Sequence, residues 1–139
     1  MPGLPTPDDL HSLVIRTDFV DESAWLAARR ALTTTTGMFE ANLQFVDDRR
    51  YENLTVDGLL ALTDGSDQTF IFLVDRETLA RPDHPVLVVD VFEDGRGRIF
   101  RVIPSAIWAV QNNLIIGNMD WEDFSGSLDS DGVFRGTFR

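Results

Sequence analysis

Two short runs constrain the fold of this chain more than any other feature: TFIFLVD at Thr69–Asp75 and PVLVVDVF at Pro85–Phe92. Each is apolar almost without interruption and rich in β-branched and aromatic residues. Successive side chains of a strand point to opposite faces, so an unbroken apolar run needs cover on both faces. Both segments are expected at the centre of a sheet with helices packed on either side.

The rest of the sequence supplies those layers. LVIRTDF (Leu13–Phe19) reads as a first strand. Asp21 then caps a helix to about Leu32, with Trp25, Ala28 and Leu32 on one face and Val20 placed to staple against Trp25. NLQFV (Asn42–Val46) reads as a short strand and TVDGLLALT (Thr55–Thr63) as a helix weakened by Gly58. After the two apolar runs, the turn EDGRGR and the strand RIFRVI (Arg98–Ile103) give a hairpin signal. Pro104 and Ser105 open a helix carrying Ile107, Val110 and Leu114, and LIIGNM is expected as a short strand before a last helix. TTTT at 33–36 reads as a helix giving way to a loop. The order is βαβαβββα, then a strand and a helix: one α/β domain over residues 10–139, with a mixed central sheet of about five to six strands and flanking helices. Residues 1–9, with prolines at 2, 5 and 7, are expected as a flexible lead-in.

Charge and missing residue types remove several functions. The chain has 23 acidic residues against 12 basic ones, a formal net charge of −11, and no basic cluster offsets it. Such a field repels phosphate backbones, so nucleic acid is not an expected partner, whereas a basic protein is. All 12 basic residues are arginine. Without lysine there is no Schiff-base chemistry, P-loop lysine or receiver-type lysine. Without cysteine there are no disulfides and no thiolate sites. The stretch MPGLPTPDDLHSL has neither a basic n-region nor an apolar h-region and no run approaches membrane length, so a cytoplasmic protein without a cofactor is expected.

Three groups of residues are candidates for a site. Carboxylates at strand ends, among them Asp18, Asp47, Asp48, Asp75 and Asp90, include a candidate Mg²⁺ pair in Asp75 and Asp90, since that ion takes oxygen ligands and often few carboxylates. Aspartate is equally favoured at strand ends as a turn or cap residue. His11 and His84 are the only neutral-pH bases, but no G-x-S-x-G accompanies them. The third group is GNMDWEDFSGSLDSDG (117–132), in which Asp120 caps a helix and Glu122 and Asp123 occupy its first turn. Trp121, Glu122, Asp123, Asp129 and Asp131 form a candidate partner-binding surface, an aromatic anchor among carboxylates.

The segment PSAIWAVQNNLIIGNMDWEDFSGSLDSDGVFRG, with FLVDRETL and LVVDV before it, resembles a family of short acidic actinobacterial proteins described as a domain of unknown function. The resemblance runs from about Leu10 onward, is strongest in NLIIGNMDWEDF and DGVFRG, and fits the arginine-only composition. It carries over no catalytic or binding residue. The chain is also similar in general style to immunity proteins of bacterial toxin systems, by analogy alone. The leading expectation is a non-enzymatic interaction protein, immunity-type or regulatory, that binds a basic partner. The alternatives are a small metal-dependent or acid/base enzyme and a small-ligand-binding module.

Overall fold

A computed structural model describes residues 3–34 and 39–138. Six strands, β1 (Ser12–Arg16), β2 (Leu43–Val46), β3 (Phe70–Val74), β4 (Val86–Asp90), β5 (Ile99–Val102) and β6 (Val133–Phe134), form one sheet in the order β2-β1-β3-β4-β5-β6. β2 and β3 run parallel to β1, β4 is antiparallel to both its neighbours, and β6 is parallel to β5. The helices are α1 (Glu22–Thr33), α2 (Val56–Leu62), α3 (Arg76–Ala80), α4 (Ile107–Ile115) and α5 (Trp121–Ser125). The protein is therefore the α/β domain with a mixed sheet that its strand pattern predicts.

The two apolar runs are the two central strands, and all five residues of each are buried. Alternation splits their side chains between two cores. Val14, Phe72, Val88 and Phe100 pack with Trp25 of α1, Val110 of α4 and Phe124 of α5. Leu13, Ile15, Ile71 and Val89 pack on the opposite face with Leu59 of α2 and with Tyr51, which precedes that helix. The chain thus passes from β1 to β2 through α1 on one face, and from β2 to β3 through α2 on the other. β3 lies on the far side of β1 from β2, so the carboxyl ends of β1 and β3 form a topological switch point, the place where such sheets open a crevice.

Several local expectations change. Val20 is 91% exposed and no staple forms on Trp25; the Asp21 side chain, accepting the Ala24 N–H at 3.0 Å, starts α1 without it. The run LIIGNM is not a strand: Leu114 and Ile115 finish α4, and Gly117 turns the chain at φ +69°. α3 and β6 were not anticipated. Of TTTT, Thr33 ends α1 and Thr34 caps it, while positions 35 and 36 lie outside the described residues. In the lead-in, Leu4 packs against the α2-side core and the Tyr51 hydroxyl donates to the Gly3 carbonyl at 2.9 Å.

Candidate functional site

At the carboxyl end of β3, Asp75 does two structural jobs. It caps α3, with Oδ1 accepting the Thr78 N–H at 3.2 Å in a capping box. It also accepts a two-pronged bond from Arg101 of β5, 3.0 Å to Oδ1 and 2.8 Å to Oδ2. Burial alone raises the Asp75 carboxyl, but the Arg101 guanidinium and the Thr78 donors outweigh it and hold the group below the usual carboxylate range. Asp75 is an ionised anchor for β5, not a poised base.

Asp90 lies at the other end of the sheet. It is the register partner of Phe70, while Asp75 sits five residues further along β3, roughly 16 Å at about 3.3 Å per residue. The antiparallel turn of β4, which a sequence does not reveal, separates the two carboxylates, so they share no ion site. Among the described residues no group of three or more histidine or carboxylate side chains is placed to hold a metal. Asp90 pairs with Arg98, 3.0 Å to Nε and 2.8 Å to a terminal nitrogen. Asp47 bonds Arg16 at 3.2 Å, and Asp48 caps a short 3₁₀ turn while pairing with Arg50 at 2.9 Å. His11 and His84 are each tied through Nδ1 to a nearby backbone carbonyl, of Asp9 and of Thr78.

Arg16 is the least expected of these groups. It ends β1 only 2% exposed, with its ion partners Glu22 and Asp47 on the surface above it. One terminal nitrogen, Nη2, has no hydrogen-bond partner among the described residues. The guanidinium lies over the Phe19 ring at 4.2 Å and near Trp25 at 5.1 Å, and these faces offset part of the missing bond.

The acidic stretch near the C-terminus divides between the two ends of β5. Asp129 and Asp131 hold Arg135, each at 2.8 Å, and Asp131 also takes Arg81 at 3.0 Å. Arg135 and Arg81 hold the Asp131 carboxyl far below its ordinary value. Glu122 and Asp123 sit instead at the amino end of the sheet. Glu122 bonds Arg98 at 2.6 Å, which lowers its carboxyl, and Asp123 accepts the Asp120 N–H at 2.8 Å in a capping box over α5. Trp121 is 7% exposed and packs edge-on against Phe100 at 4.8 Å. It is a core residue, not a presented anchor. Its place in the first turn of α5 turns the ring inward onto β5.

The amino end nevertheless gathers charge from three connections. The α2–β3 loop brings Asp64 and Asp67, the β4–β5 turn brings Glu93 and Asp94, and α5 brings Asp120, Glu122 and Asp123 beside Asp90. Within these connections the described arginines are Arg98, which is paired, and Arg96, which donates to the Val91 and Leu60 carbonyls. These eight carboxylates against two guanidiniums leave this group of connections with an excess of six negative charges. Phe92 (48% exposed) and Ile99 (52%) stand beside them. α2 covers β1, β3 and β4 but not β5, which leaves Ile99 open.

Fold and site together define a small three-layer α/β domain with a crevice at its switch point and a strongly acidic opposite end. Residues 11–137 match the family described as Domain of unknown function (DUF6924), and the chain belongs to that family. No curated protein matches the sequence.

Proposed function

We propose that this protein is an interaction module, of immunity or regulatory type, that docks a basic protein on the amino end of its sheet. The observation that carries this reading is the pairing of uncompensated carboxylates with two exposed apolar side chains. Glu93, Asp94, Asp64, Asp67 and Asp120 make no ion pair among the described residues, while Phe92 and Ile99 supply apolar surface within that rim. Interfaces that steer an oppositely charged partner have this arrangement: charge raises the encounter rate and selects the partner, and a desolvated apolar centre provides most of the affinity. Of the residues expected to bind from sequence, Glu122 and Asp123 belong to the surface. Asp129 and Asp131 are neutralised elsewhere by Arg135 and Arg81. The proposed setting is the cytoplasm of an actinobacterial cell, where a cysteine-free chain is unaffected by reducing conditions; among the described residues no helix is long and apolar enough to cross a membrane.

The test is affinity capture from the source cells at low ionic strength, with wild type beside Phe92→Ser/Ile99→Ser and Glu93→Arg/Asp94→Arg. A basic protein retained by wild type, released by salt and lost by both double variants is the expected result. Capture of the same protein by all three baits, or of no basic protein, contradicts the assignment.

A further inference from the structure

The crevice at the β1/β3 switch point lies at the opposite end from the proposed docking surface. Its volume is about 600 Å³, within the range of small-molecule sites. Its walls come from the β1–α1 loop, the first turn of α1, the segment before α2, and α3. Asn53 fixes one wall: in the left-handed region at φ +63°, it donates its N–H to the Thr17 carbonyl at 2.8 Å and pins the α2 approach against the end of β1. Leu54, Leu79 and Ala24 give the crevice an apolar lining.

The charges on those walls are unusual for this molecule. Seven of the described arginines are in ion pairs, Arg96 is bound to carbonyls, and Arg29 lies over the Phe45 ring. Of the two that remain, Arg30 and Arg76, neither has such a partner among the described residues, and Arg76 lines the crevice. Asp18 and Asp21 also line it, and each uses one oxygen on a backbone N–H, of Val20 and of Ala24, both at 3.0 Å. Their second oxygens take no bond among the described residues. Asp75, the third carboxylate, is neutralised by Arg101. The crevice therefore presents one free guanidinium and two free carboxylate edges around an apolar pocket. We propose that it binds a small zwitterion bearing both an amine and a carboxylate, as a free amino acid does. The amine is received by Asp18 and Asp21 and the carboxylate by Arg76, with the ligand's apolar part against Leu54 and Leu79. Neither charge alone satisfies both walls, and this sets the class.

The experiment is amide NMR of the full chain titrated with L-leucine, L-serine and L-glutamate, and with the two halves of leucine: 3-methylbutylamine and 4-methylpentanoate. At least one amino acid is expected to give saturable shifts confined to residues 17–24, 53–54 and 75–80. The amine and acid halves of leucine each lose one charge-assisted contact, so each is expected to bind about tenfold or more weaker than leucine itself. Asp18→Asn keeps the acceptor for Val20, Arg76→Gln lies on the surface, and each should weaken amino-acid binding about tenfold with the remaining spectrum unchanged. No saturable shift below about 10 mM for any amino acid, binding of either half molecule as tight as that of leucine, or unaltered binding by both variants overturns the proposal.

Discussion

Because arginine stands in place of lysine throughout this chain, each ion pair can use the planar fork that lysine lacks. Arg101 shows the consequence: its guanidinium bridges both Asp75 oxygens, the Pro85 carbonyl and Glu77, tying β5 to the ends of β3 and β4. Arg101→Lys keeps the charge and loses the fork, and should lower stability by about 1–2 kcal/mol in urea unfolding; a midpoint equal to wild type shows that charge alone suffices. Gly95 tests the other ion pair. A methyl group there would overlap the Asp90 carboxylate and the Arg98 guanidinium, so Gly95→Ala is expected to cost about 1–3 kcal/mol, read from the melting temperature. The aspartates at strand ends were legible as a class. Their partners were not, because Arg101 and Asp75 lie 26 positions apart and meet only through the sheet. Trp121 was ambiguous for a related reason: acidic neighbours in sequence do not fix which way a first-turn ring faces.

At the scale of elements, legibility followed length and periodicity. β3 and β4 were unmistakable because burial on both faces leaves no polar positions. β6 is two residues long and exists only through pairing with Arg101 and Val102, so nothing local announces it. In Leu114–Ile116 three consecutive apolar residues suit a strand or a helix end equally, and packing on the α4 side decided for the helix. α3 does carry a local signal, since Asp75 and Thr78 are spaced as a capping box. The corresponding cap on α5 gives a direct prediction. Asp123→Ala removes the acceptor of the Asp120 N–H and should cost about 1 kcal/mol, measured by thermal unfolding beside Asp57→Ala on α2 as a surface control; an equal effect of the two denies the cap its role.

Across the whole molecule, the carboxylates divide between those paired with arginine and those that make no ion pair among the described residues. Burial works against ionisation of Asp75 and Asp83, but Arg101 in the first case, and Arg135 with Arg81 in the second, outweigh it; Glu122 is lowered by Arg98 and Asp131 by Arg135 and Arg81. A carboxyl whose folded value is depressed contributes its full stability above its unfolded value and loses it as pH falls through the folded one. These pairs should therefore leave stability level from about pH 8 to 5 and remove it progressively below about pH 4, as denaturant titrations across that range would record. The unpaired carboxylates at the amino end have no such pairing to lose, and the proposed docking surface rests on them. The most direct test is the association rate of the captured basic protein, measured by stopped flow from about 20 to 500 mM salt for wild type and Glu93→Arg/Asp94→Arg. The wild-type rate is expected to fall steeply with salt, and the variant rate to be at least about tenfold lower at low salt and to converge with wild type at high salt. Rates that are equal for the two proteins and indifferent to salt would contradict it.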